Sequence, residues 1–290
     1  MIALTVALAV FVGVSLGLLG GGGSILTVPL LAYVGGLDSK HAITASLLVV
    51  GVTSAVGAIA HLRAGRVRWG VAVPFGAAAM TGAYGGGLLA RFIPGTVLLT
   101  TFAVIMIAAA AAMLRGRKNT PGSSAAAPLP LVRMAVLGVG VGTVSGLVGA
   151  GGGFLLVPAL ALLAGLPMPA AVGTSSVVIA MQSFAGLAGH LAGAQIDWRM
   201  STMVTAAAVA SAVIGGRLTG LVDPNALRML LGWFVLLMAS VILAQETTPA
   251  VGVAAAGLTV VAAGVYVTCR RTAHCPLRRL VAQMRPAAAG

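Results

Sequence analysis

The residues in this chain able to do chemistry are few, and two of their groupings are made of glycine. Gly20-Gly21-Gly22-Gly23-Ser24 and Gly149-Ala150-Gly151-Gly152-Gly153 each lead into a short apolar run that contains a proline, Pro29 or Pro158. A glycine run that interrupts a helix leaves unpaired backbone N–H groups at the start of the next one, where the donors and the helix dipole favour an anion. Glycine also admits unusual dihedrals and close approach of a ligand to the backbone. An oxyanion can then be held in an apolar interior without a buried lysine or arginine, which would be costly. From Met134 to Ile196 there is no Asp, Glu, Lys or Arg, so anything polar bound there must be met by backbone and hydroxyls. The candidate anion-binding residues are Gly21, Gly22, Gly23 and Ser24 in the first run and Gly151, Gly152 and Gly153 in the second. Neither run is a phosphate loop, because no Lys-Ser/Thr follows it. The competing reading is a packing surface of small residues between helices.

Hydroxyls form the second candidate set: Thr44 and Ser46 in HAITASLL, and Thr174, Ser175 and Ser176 in AVGTSSVV. Each group stands at the start of an apolar segment, where it either faces a ligand or bonds to a nearby carbonyl of its own helix. Gln182 and Ser183 follow in the same segment, with Ser54 as the earlier counterpart of Ser183; a buried glutamine amide either bonds a neighbouring helix or meets the ligand. His61 and His190 occupy matched positions. A histidine titrates near neutrality and suits proton coupling, although both also stand at segment ends where interfacial anchoring is common. Trp69 and Trp198 read as interface anchors, and Arg91 and Arg217 as snorkelling side chains.

Catalysis is not expected. The four acidic residues lie at segment ends or in loops, and no His/Asp/Glu constellation occurs. Cys269 and Cys275, with His274 between them, lack zinc spacing and read as two free thiols, so neither a metal nor a cofactor is expected.

The elements that carry these residues must be membrane helices. Hydrophobic residues make up 59% of the chain and charged residues 7%, too few charges to build a soluble surface. Seventeen Lys and Arg against four Asp and Glu give a net charge of +13. The basic residues sit in clusters between apolar runs without interleaved aromatics, which points to the cytoplasmic face of a bilayer rather than to nucleic acid. The apolar N-terminus does not read as a cleaved signal, since the first charged residue is Asp38.

An internal repeat organises the chain. An offset of 129 residues carries Pro29 to Pro158, and without a gap it also aligns Ser46 with Ser175, His61 with His190, Trp69 with Trp198 and Gly86-Gly87 with Gly215-Gly216. Each half reads as five apolar segments: 1–19, 24–36, 43–60, 70–90 and 96–114, then 132–148, 154–164, 172–190, 199–221 and 226–244. The expected organisation is a first transmembrane repeat (1–114), a basic cytoplasmic linker (115–133), a second repeat (134–244), an additional transmembrane helix (245–268) and a basic cytoplasmic tail (269–290). The second segment of each half is too short to span about 30 Å of hydrocarbon as a helix, so it is expected to be broken or re-entrant.

Charge sets the relative orientation of the halves. The loop 61–69 contains Arg63, Arg66 and Arg68, whereas its duplicate, 190–198, has no arginine and gains Asp197. By the positive-inside rule the two loops face opposite sides. The fold class expected is therefore all-α integral membrane, with two inverted five-segment repeats, an external N-terminus and a cytoplasmic tail. Inverted repeats with broken helices are a common transporter plan, in which the halves rock to give alternating access.

GLLGGGGSILTVPLL, GAIAHLRAGRVRW, GLVGAGGGFLLVPAL and GLAGHLAGAQIDW resemble the duplicated signatures of the sulfite exporter TauE/SafE family of membrane permeases. The resemblance covers residues 10–244, and Ala45 stands where the second half has Thr174. It implies a permease for small sulfur-containing anions such as sulfite or organosulfonates, in the cell membrane. An anion channel of the same architecture and a non-transporting structural subunit are the alternatives. The partners to expect are a small anion, the lipid bilayer and, as coupling ion, protons; a homo-oligomer is compatible with the pattern.

Overall fold

The computed structural model describes residues 9–14, 17, 22–115, 130–149, 151–153, 156, 160, 166, 168–191, 193, 197–218, 224–246 and 257. They form helices only. Residues 9–14 are helical; beyond them a short helix, α1 (Ser24–Val34), is followed by α2 (Ser39–Arg63), α3 (Trp69–Ala90), α4 (Gly95–Arg115), α5 (Leu131–Val148), α6 (Met168–His190), α7 (Trp198–Leu218) and α8 (Pro224–Glu246). Among the described residues, Ser39–Arg63, Leu131–Val148, Ala170–His190 and Trp198–Gly216 are each long and apolar enough to cross a membrane. Large apolar side chains such as Phe92, Val132, Val136 and Ile214 are exposed, as suits a protein whose solvent is lipid. The chain is an α-helical membrane protein.

The repeat offset recurs in the helix starts. Ser39 and Met168, Trp69 and Trp198, and Gly95 and Pro224 are each 129 positions apart. Helix bounds nevertheless exceed the apolar runs: α2 begins at Ser39 rather than 43 because Asp38 caps it, its carboxylate accepting from the Lys40 N–H at 3.2 Å. Asp197 does the same for α7, accepting from the Met200 N–H at 3.1 Å. Hydropathy detects the apolar body of a helix and misses its polar first turn.

Helix α1 is irregular along its whole length. A 3-10 turn (Gly22–Leu26) passes through one α turn (Thr27–Pro29) into a π turn (Leu30–Val34). Pro29 has no N–H to continue an α ladder, and the widened turn closes with the Gly35 N–H on the Leu30 carbonyl at 2.9 Å. At about 16 Å it is far shorter than a bilayer core, and its Ile25, Val28 and Leu31 are buried.

Packing is built on small residues. Helix α3 lies against α5 and α6, α2 against α6 and α7, and α4 against α8. In the α3–α5 pair, Gly138 meets Phe75 and Ala78, Gly142 meets Ala79, and Gly146 meets Ala83, so these helices run parallel with backbones in contact. Shifting each residue by the repeat offset gives contacts that also exist: Gly13 meets Ala208, and Gly17 meets Ala212. Gly86 against Thr143 likewise has its counterpart in Gly215 against Val14. Helices α2 and α6 are themselves copies under the offset, and they run antiparallel: Leu47 faces Gly186, Gly51 faces Phe184, and His61 faces Gly173.

Gly21, the linker 116–129, most of the 154–164 segment, nearly all of the 245–268 segment expected to be a further helix, and the tail with Cys269 and Cys275 lie outside the described residues.

Candidate functional site at the second glycine turn

Helix α5 stops at Gly149, whose φ of +75° places it in the left-handed region and whose N–H bonds the Ser145 carbonyl at 2.9 Å. Gly151 and Gly152 follow with φ of +62° and +66°. Three left-handed positions so close together require glycine, because a Cβ in that conformation crowds the backbone. The run in the sequence thus ends the helix rather than merely allowing helices to pack.

The turn is tied to the α2–α6 pair from both sides. Ser46 Oγ, on α2, donates to the Gly149 carbonyl at 2.9 Å. Gln182 Nε2, on α6, donates to the Gly151 carbonyl at 2.5 Å and lies 3.3 Å from Ser145 Oγ. A Cβ placed on Gly151 would fall on Val50 and stand 3.2 Å from Ser183 Oγ; one on Gly152 would stand 2.6 Å from Gln182 Nε2. Val50 lies next to Gly51, the midpoint of α2, so Gly151 sits level with the middle of that helix, while Gly149 meets Ile43 and Ser46 nearer its start. Ser46, Ser145, Gln182 and Ser183 are all buried. The groups gathered there are neutral dipoles, the kind of site in which amides and hydroxyls together accommodate a charge.

The hydroxyl set divides. Ser46 reaches the glycine turn, and Thr174 Oγ1 accepts from the Arg68 N–H at 3.1 Å at the mouth of α3. Thr44 instead donates to the Lys40 carbonyl, and Ser175 and Ser176 both donate to the Val172 carbonyl, each within its own helix. Gly22 and Gly23 lie at the start of the 3-10 turn (Gly22–Leu26) that leads into α1, with Ser24 fully buried beside them. Gly153 follows Gly152 directly and is buried. The two histidines differ. His190 Nε2 lies 2.7 Å from the Gly146 carbonyl and ties α6 to α5, whereas half-buried His61 closes α2 against Gly173.

Ser145 is the site residue that sequence reading missed. The available signal was its place one helical turn before the Gly149 cap, beside the end of the helix. No group of three or more His, Cys, Asp or Glu able to hold a metal occurs among the described residues.

A family model described as sulfite exporter TauE/SafE matches residues 5–242. A probable membrane transporter protein of Xylella fastidiosa (strain Temecula1) is 40% identical over 171 residues, covering 58% of this chain and 66% of the relative, so the match spans about two thirds of that protein's length. A probable membrane transporter protein of Methanocaldococcus jannaschii is 31% identical, over 65% of this chain and 73% of its own. One of Bacillus subtilis is 25% identical, over 74% of this chain and 89% of its own. No solved structure matches.

Proposed function

This chain belongs to the sulfite exporter TauE/SafE family of membrane transporters, and from that premise we propose that it is a secondary transporter exporting small sulfur-containing anions such as sulfite or organosulfonates. The observation that carries this reading is the set of left-handed glycines Gly149, Gly151 and Gly152, held against the inner part of two antiparallel, sequence-equivalent helices. Helix breaks near the bilayer midplane are where transporters of this plan bind their substrates. The proposed site comprises both glycine breaks (Gly21, Gly22, Gly23 and Ser24; Gly151, Gly152 and Gly153) and the hydroxyls of Thr44, Ser46, Thr174, Ser175 and Ser176.

The halves are read as inverted repeats that rock about this site to give alternating access. The antiparallel course of α2 and α6 supports the inversion, since a copy related by a two-fold axis in the membrane plane must run the opposite way. The N-terminus is then external and the tail cytoplasmic, in the cell membrane. Reconstituted in liposomes, the protein should move sulfite down an imposed gradient and show faster exchange when sulfite is present on the far side; uptake without that acceleration would favour a channel. Single cysteines at Arg66 and Gly193, in a chain with Cys269 and Cys275 replaced by serine, should label from opposite faces. Labelling from one face would overturn the inversion.

Protons are the proposed coupling ion, with His61 and His190 as the groups that would respond to them. Replacing both with glutamine should leave flux driven by an anion gradient intact and abolish its acceleration by a pH gradient. Retention of that acceleration would remove the histidines from the mechanism.

A further inference from the structure

Gln182 carries an acceptor that the described residues leave unmet. Its Nε2 faces the Gly151 carbonyl and the Ser145 hydroxyl. A carbonyl oxygen only accepts, so turning the amide around would set two oxygens against each other. Oε1 is therefore held on the other side of the amide, fully buried and without a donor among the described residues. The next residue, Ser183, is also fully buried, and its Oγ has no partner among the described residues. That oxygen is the side-chain polar atom nearest to where a Cβ on Gly151 would stand. Buried polar atoms are ordinarily satisfied, and apolar side chains would fill the same space at lower cost. Two unmet groups in succession, against left-handed glycines that end a helix, suit a ligand rather than a packing contact.

Resting on the carrier reading above, we propose that Gln182 and Ser183 select the substrate: the transported anion carries an O–H or N–H donor for Gln182 Oε1, while its anionic oxygens take the Ser183 hydroxyl and the amides of the glycine turn. An oxyanion stripped of hydrogen presents only lone pairs, which Oε1 repels. The substrate class narrows accordingly to singly charged anions with a donor beside the charge, such as hydrogen sulfite or a hydroxyl-bearing sulfonate. Plain alkyl sulfonates and doubly charged oxyanions are disfavoured. In the structure these atoms are sealed from solvent, so loading requires the turn to move off α6, a displacement that alternating access already involves.

Two probes of equal charge and similar size isolate the donor: 2-hydroxyethanesulfonate and propane-1-sulfonate. Their affinities for the purified full-length protein are measured by titration calorimetry, and their inhibition of sulfite flux is measured in liposomes. The hydroxyl probe should bind about tenfold tighter or more, the usual consequence of leaving one buried acceptor unmet. In Gln182→Met the ratio should collapse toward one. A purely structural amide would weaken both probes together and leave the ratio unchanged; that result overturns the assignment, as does equal binding of the two probes by the unmodified protein. Gln182→Asn, which withdraws the amide by one methylene, makes the same prediction if the methionine variant fails to fold. Sulfite flux without probe discrimination sinks this inference alone, whereas absence of flux for sulfite and both probes sinks the carrier reading and this one with it.

Discussion

Valine at Gly151 should abolish anion flux in liposomes while leaving a folded, monodisperse protein. Two costs arise at that position. A β-branched residue at a φ of +62° is strained by about 1–3 kcal/mol. Its side chain would also enter the space shared by Val50 and Ser183, which the proposed site assigns to the anion. The backbone cost has its own control. Gly36, in the loop before α2, has a φ of +70° with nothing within 4 Å of a Cβ, so Gly36→Val carries similar strain in open space. Flux per folded molecule should fall below detection in the first variant and stay near normal in the second. The same loss is expected for valine at Gly22, the repeat counterpart of Gly151. Normal flux in both Gly151→Val and Gly22→Val would remove the glycine breaks from the site.

Leucine at Gly142 should abolish the fold itself. In the α3–α5 contact a Cβ at this position already falls on the Ala79 carbonyl, and leucine adds three more carbons. Lipid tails are as apolar as leucine, so no hydrophobic gain offsets the separation of the helices, and their close packing is lost. A penalty on the order of 4 kcal/mol or more is expected, comparable to the whole stability margin of many domains. The measurement is the yield of a single peak on size exclusion in detergent. Gly85→Leu provides the contrast: it lies in α3 itself, with nothing within 4 Å of a Cβ, and should behave as the unmodified protein. If Gly142→Leu purifies with normal yield and thermal midpoint, the α3–α5 contact is not as described.

These two glycines are adjacent in kind and opposite in consequence, and composition does not separate them. Gly142 belongs to a spacing of four, Gly138-Gly142-Gly146, that forms a smooth helix face. Gly151 belongs to a run that a helix does not survive. The run was open to a packing and to a break-forming reading until backbone dihedrals distinguished a helical glycine from a left-handed one. The hydroxyls teach the same lesson at closer range. Thr44 and Ser46 stand two apart in one motif, yet Thr44 donates to its own helix and Ser46 to Gly149 across the interface. Two residues apart on a helix means faces about 200° apart, and only the neighbour's position decides which face matters.

From its residue order alone this chain was legible as a helical membrane protein with a 129-residue internal offset, because hydropathy, glycine's conformational freedom and the register of His and Trp are local properties carried along the chain. The partners of the polar groups were not. His61 and His190 are equivalent by register, yet only His190 lies within hydrogen-bonding distance of the Gly146 carbonyl; Gln182 and Ser145 meet across 37 positions at the glycine turn. Such pairings depend on how far each helix is rotated about its axis and how closely it nests against its neighbour. Those quantities are set by the summed packing of all the helices, so they become definite only when the tertiary structure does.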